Sequence, residues 1–171
     1  KSAATRFCKP LRSQLCERRE EKGITMSKPF FYRHTWVEVD LQAIENNVKA
    51  FRAHLPQQTK IMAIVKANGY GHGAIPIAYT ALRSGVEYLG VALLEEALEL
   101  RQAGITAPIL VLGYISPEYV HLAVQHEITL TVFHESLLPT LETAARKFGK
   151  VIKVHLKVDS GMGRIGVRTK E

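Results

Sequence analysis

Short apolar runs alternate with single amphipathic stretches along this chain, and that alternation limits the available folds more than any other feature. Ile61-Met62-Ala63-Ile64-Val65 is continuously apolar, as a parallel strand covered on both faces requires. The pattern predicts a helix over 74–84 stopped by Gly85, a strand over 88–92, and a helix over 94–103 stopped by Gly104. A strand over 109–112 follows, then a helix entered through Ser116 and Pro117, and a strand over 130–133. A helix over 135–148, closed by Gly149, and a strand over 151–158 complete the series. Strands separated by single helices imply right-handed βαβ units and a parallel sheet. About five such strands are too many for a small doubly wound domain and too few for a closed eight-stranded barrel, which takes ~250 residues. The expected fold class is therefore α/β, a partial (β/α)8 TIM-type barrel that stops before closure.

Ahead of this series, Trp36-Val37-Glu38-Val39-Asp40 alternates like a half-buried strand, and Asp40 stands as N-cap to a helix. Leu41, Ile44, Val48, Phe51 and Leu55 recur at steps of three and four, giving one apolar stripe. Residues 1–25 have no sustained period and are expected to be an unstructured leader, with 26–171 forming the barrel portion. Arg18-Arg19-Glu20-Glu21-Lys22-Gly23 just before Met26 is what in-frame translation of a purine-rich ribosome-binding site would produce, which would make Met26 the natural start. The rival reading is an Arg- and Ser-rich transit peptide.

That leader also explains the charge. Of the formal +7, residues 1–25 supply seven Lys or Arg against three Glu, and the remaining excess is spread thinly. A diffuse excess argues against a nucleic-acid partner, which needs basic residues clustered on one face. Both cysteines, Cys8 and Cys16, fall in the leader, so the rest of the chain has no thiol for a disulfide or a Cys-based metal site. No apolar run approaches the ~20 residues needed to cross a bilayer. A reducing, cytoplasmic setting is expected, with neither membrane nor metal.

Two segments carry candidate chemistry. Lys66 follows the apolar run 61–65 and precedes Ala67-Asn68-Gly69-Tyr70-Gly71-His72-Gly73, so a cation sits where a buried strand empties into a Gly-rich loop. Active sites of barrels gather at that carboxyl end, and burial there favours the nucleophilic amine over the ammonium. By position alone, the commoner fate of such a lysine is to snorkel to water. Gly69, Gly71 and Gly73 either let an anion approach the backbone or make a plain strand-to-helix turn. Tyr70 either contacts a phosphate or half-buries its ring, and His72 has no second ligand at helical spacing. In the second segment, Lys157-Val158-Asp159-Ser160-Gly161-Met162-Gly163-Arg164-Ile165-Gly166, Lys157 lies within a strand pattern, where an unpaired ammonium would be costly. Arg164, between glycines, offers a planar fork to a carboxylate or a solvated arginine on a surface turn.

Taken together, the segments 63–73 and 159–166 resemble the cofactor-lysine motif and second signature of alanine racemases, in the right order. The similarity extends through Thr35-Trp36-Val37-Glu38-Val39-Asp40-Leu41 and Ala107-Pro108-Ile109-Leu110-Val111-Leu112-Gly113, covering about 31–167. One departure is Gly69, where the family more often has Ala; a looser loop with unchanged chemistry is expected. The resemblance implies a homodimeric racemase with a C-terminal β domain beyond this segment, interconverting L- and D-alanine for cell-wall peptidoglycan precursors. It implies that Lys66 forms a Schiff base with pyridoxal 5'-phosphate and serves as the base on the D-alanine face. Tyr70 would contact the cofactor phosphate. Arg164 would bind the cofactor's phenolic oxygen and the substrate, and a carbamylated Lys157 would orient Arg164. The second base, a tyrosine of the partner subunit, has no counterpart here, so this segment alone is expected to be inactive. Two alternatives stay open: a non-catalytic pyridoxal-phosphate-binding barrel, and a racemase or decarboxylase of the same fold for another amino acid.

Overall fold

The computed structural model describes residues 6–10 and 36–168. Strand β1 (Arg6–Pro10) pairs antiparallel with β2 (Trp36–Asp40), Phe7 opposite Val39. No element was expected within 1–25, because an antiparallel partner needs only backbone donors and acceptors and leaves no apolar period. Residues 1–5 and 11–35, among them Met26, the expected natural start, lie outside the described residues.

Helix α1 (Leu41–His54) begins as its sequence predicts. The Asp40 carboxylate accepts the N–H of Gln42 at 2.9 Å and of Ala43 at 3.3 Å, satisfying donors that the first turn would leave orphaned. Val48 is buried, but Phe51 of the same stripe is 65% exposed. Polar contacts hold the last turn instead. Arg52 donates to the carbonyls of Thr59 (2.6 Å) and Gly85 (3.3 Å) and pairs with Glu87 at 3.0 Å, tying the helix end to the amino-terminal end of the sheet.

The second sheet has five parallel strands, β3 (Met62–Ile64), β4 (Tyr88–Val91), β5 (Ile109–Val111), β6 (Thr129–Val132) and β7 (Val154–Leu156), side by side in chain order. A one-turn segment, α2 (Lys66–Tyr70), and helix α3 (Ala74–Arg83) follow β3. Helices α4 (Leu94–Gln102), α5 (Val120–Gln125) and α6 (Leu138–Phe148) fill the later crossovers. The expected strand count and order are met, and the sheet is an open arc of a TIM-type barrel.

Alternation along the strands separates two faces. Leu89, Val91, Ile109, Val111 and Leu130 are each fully buried beneath the helices, against Ala78, Ala97, Val120 and Ala123. Small alanines let the helices approach closely, and each buried aliphatic side chain contributes roughly 1.5–3 kcal/mol. Of the run 151–158, only β7 pairs with β6, while Val158 bridges to Val167, and β7 is less sheltered than the other strands: Leu156 is 68% exposed. Arg101, in the last turn of α4, ties two loops together by donating to the carbonyls of Ile105 (2.7 Å) and Ala107 (2.8 Å) before β5 and of His126 (3.0 Å) and Glu127 (3.1 Å) before β6.

Candidate active site

Parallel strands all end on the same side, so the residues after β3 to β7 share one rim. Lys66 lies there, half-buried, immediately after the buried Val65. Its Nζ is 5.9 Å from the centroid of the Tyr70 ring, within cation–π range. Tyr70 is 59% exposed, so its hydroxyl is open to a ligand.

The backbone joining these two side chains is unusual. Ala67, Asn68, Gly69 and Tyr70 have φ of +50°, +54°, +62° and +55°, a left-handed turn directly after the strand. Left-handed helical backbone costs roughly 1–2 kcal/mol for each residue that carries a Cβ, and strain of this kind persists only where the surroundings over-determine it. Here several hydrogen bonds do so. Gly69 N–H donates to Val65 O (2.8 Å), Gly71 N–H to Ala67 O (3.0 Å), and Gly73 N–H to Asn68 O (2.8 Å). The Asn68 side chain accepts the first N–H of α3, from Ala74, at 2.9 Å. The glycine amides are thus engaged within the turn, and of the two readings of Gly69, Gly71 and Gly73 the structure supports the strand-to-helix turn over an anion cradle. His72 Nδ1 lies 3.0 Å from Gly69 O, which fixes its ring to the same turn.

The second segment is built around Asp159. Its carboxylate accepts the N–H groups of Gly161 and Gly163, each at 3.0 Å, and Arg168 Nε at 2.9 Å. These donors, Gly163 foremost, then Gly161 and the Arg168 guanidinium, pull its acid ionisation down to about 2. Gly166 closes the loop: a Cβ there would lie 2.5 Å from Asp159 N. Val167 N–H donates to Lys157 O and Asp159 N–H to Val167 O, both at 2.9 Å. Arg164 projects from the loop, exposed, while Lys157 is half-buried.

The structure therefore brings Lys66 and Tyr70 together. It joins Lys157 to the loop of Arg164 through the backbone. Neither the Lys157 nor the Arg164 side chain makes a hydrogen bond or ion pair among the described residues. Two acidic residues escaped the sequence reading. Asp159 lay inside a motif and was passed over, although an Asp two residues before a Gly is a common side-chain-to-backbone turn signal. Glu96 carried the weaker signal of a glutamate at the third position of a helix. Among the described residues, no group of three His, Cys, Asp or Glu side chains could hold a metal ion, and no helix is long and apolar enough to cross a membrane.

An amine and a phenol at one strand end, with a guanidinium loop at another, on an arc of parallel strands, fit a barrel protein whose site would be built from strand ends. The family profile described as the alanine racemase N-terminal domain matches residues 39–171. This chain belongs to the alanine racemase family. It is 53% identical over 140 residues to alanine racemase 1 of Oceanobacillus iheyensis, covering 82% of this chain and 37% of that protein. The crystal structure of alanine racemase from Bacillus anthracis with bound L-Ala-P superposes with a TM-score of 0.76 at 47% identity, over 81% of this chain and 36% of that one. Histidine racemase from Leuconostoc mesenteroides superposes with a TM-score of 0.70 at 34% identity, over 75% and 34% of the two chains. The chain spans a little over a third of the length of these relatives.

Proposed function

We propose that the protein is a pyridoxal-phosphate-dependent racemase interconverting L- and D-alanine, with Lys66 as its cofactor lysine. The observation that carries this reading is Lys66 itself, set at the end of β3 on a strained turn with the Tyr70 ring beside it, in a chain of the alanine racemase family. The donor set fits a phosphorylated aromatic aldehyde: an amine to bind the aldehyde carbon, an exposed phenol for the phosphate, and a guanidinium for an oxyanion.

Bound there, pyridoxal phosphate supplies an electron sink for the charge left on the substrate's α-carbon. The chain's own residues do the rest. Lys66 Nζ would hold the cofactor and, with substrate bound, would take or return the α-proton on the D-alanine face. The Tyr70 hydroxyl donates to the phosphate. Arg164 binds the phenolic oxygen of the cofactor and the substrate carboxylate. Carbamylation of Lys157 would turn a half-buried cation into an acceptor that orients Arg164. Inversion needs a second base on the opposite face, which we assign to a tyrosine of a partner subunit in a homodimer, so residues 1–171 alone are expected to be inactive. A cytoplasmic racemase of this kind would supply D-alanine for cell-wall precursors.

The likeness to a histidine racemase supports a second reading, in which the same machinery serves another amino acid. Incubating the full-length protein with L-alanine, L-serine or L-histidine and following the D-enantiomers separates the two. Faster turnover of serine or histidine would overturn the alanine assignment. Borohydride treatment followed by peptide mass spectrometry should find the cofactor on Lys66 and nothing on Lys66→Ala protein. An adduct on another lysine would refute the role given to Lys66.

A further inference from the structure

Glu96, at the third position of α4, has one carboxylate oxygen on its own helix and the other on α2. Oε2 accepts the N–H of Ala92 at 2.7 Å and of Leu93 at 3.1 Å, a capping arrangement that any glutamate here can make. Oε1 accepts the N–H of Ala67, 29 residues away and next to Lys66.

That donor needs a partner for a reason visible in the sheet. Beyond Ile64 the ladder between β3 and β4 continues with Val65 N–H on Gly90 O at 2.8 Å. In a parallel pair the next rung would set Ala67 N–H on Ala92 O. The Ala92 carbonyl instead accepts the N–H of Gly113, two residues past β5, at 3.2 Å, and at Ala67 the chain has already turned left-handed, with φ +50°. The Glu96 carboxylate takes the missing acceptor's place. It holds the first strained residue of the turn at the point where the direction of the Lys66 side chain is set.

We propose that Glu96 is a positioning residue for Lys66, holding the left-handed turn so that the amine faces the cofactor site; this rests on the reading that Lys66 binds the cofactor. A carboxylate is the group this task demands, because both oxygens must accept. Glutamine has one oxygen and one NH2 group, so it can satisfy one side only, and the NH2 group then faces an N–H. The local contacts to Ala92 and Leu93 are the easier to keep, and Ala67 is the one released.

The test uses the full-length protein and E96Q. Before any substitution, borohydride trapping on Lys66 is measured in the unsubstituted protein; absence of an adduct there overturns the functional reading and is told apart from failure of this one. In cofactor-free E96Q, hydrogen–deuterium exchange at the Ala67 amide is expected to speed up roughly tenfold, the loss of one charge-assisted hydrogen bond, with a cooperative melt retained. Pyridoxal phosphate affinity is expected to fall by about the same factor, and the pH midpoint of borohydride trapping on Lys66 to move. E96D, one methylene shorter but still charged, should keep the cap and also release Ala67, and it carries the test if E96Q does not fold. Unchanged exchange at Ala67 overturns the proposal. So does faster exchange with unaltered cofactor affinity and trapping profile, which would leave Glu96 a helix cap.

Discussion

Gly90 on β4 stands in register with Ile64 on β3, and a methyl built on Gly90 would come within 2.6 Å of Ile64 Cδ1. The absent side chain makes room for Ile64 and for Met62, whose sulfur would be 3.2 Å away. Ile64 is 36% exposed, so its terminal methyl can swing aside. Gly113 differs, because a Cβ there would meet the carbonyl oxygen of Ala92 at 2.5 Å, and backbone cannot rotate away. Gly90→Ala should cost about 1 kcal/mol and Gly113→Ala about 3 kcal/mol. Urea unfolding midpoints of the two variants check the order, and equal midpoints would contradict it.

Gly69 is buried within the left-handed turn, and a Cβ on it would sit 3.3 Å from both the N and Cα of Ala74. Gly69→Ala should therefore fold at a cost of about 1 kcal/mol, with cofactor affinity unchanged, since the Lys66 and Asn68 contacts do not involve that methyl. A melting curve and a cofactor titration measure the two halves of this statement.

Arg101 serves four carbonyls from one planar fork. Arg101→Ala should destabilise by about 2 kcal/mol or more, because the acceptors lose a charged donor. Lysine should recover less than half of that, since a compact ammonium cannot reproduce the fork. Near-complete rescue by Arg101→Lys would show that charge, not geometry, matters.

Asp159 ionises at about 2 in the fold against an ordinary value of 3.8. The folded state therefore binds this proton less readily than the unfolded chain, and the resulting stability is fully present above pH ~4 and is lost as the pH falls toward 2. Glu45, Glu87 and Glu127 are shifted the same way, Glu45 and Glu127 chiefly by hydrogen bonds from Lys49 and Lys150 and Glu87 chiefly by the Ile61 amide, so the whole-protein acid transition is shared. The contribution of Asp159 is isolated by difference. Asp159→Asn should melt well below the parent at pH 6, and the gap should close toward pH 2.

The strands were legible in the sequence because burial under helices demands continuous apolar runs, and Asp40 because an N-cap is a local signal. Lys66 stood out as the abrupt ending of such a run, and the loop of Arg164 as a Gly-rich sequel to a strand pattern. The handedness of Ala67 to Tyr70 was not legible. A Gly-rich pattern announces freedom without direction, and although Asn68 tolerates positive φ, Ala67 and Tyr70 carry Cβ atoms that argue against it. Glu96 was hidden because a hydrogen bond spanning 29 residues leaves no periodic trace. Phe51 illustrates the opposite error: its spacing fits the stripe, but the Arg52 contacts, invisible to periodicity, fix that end of the helix.

The strands of the barrel sheet lie in the order in which they occur along the chain, which has a consequence for synthesis. A ribosome adding roughly 5–20 residues per second releases each βα unit over a second or more, whereas helices form in microseconds or less. Each strand from β4 to β7 thus emerges to find its preceding neighbour already made. The nascent sheet grows by a single moving edge, and after residue 156 that edge is β7, its hydrogen-bonding groups turned outward to whatever the chain delivers next.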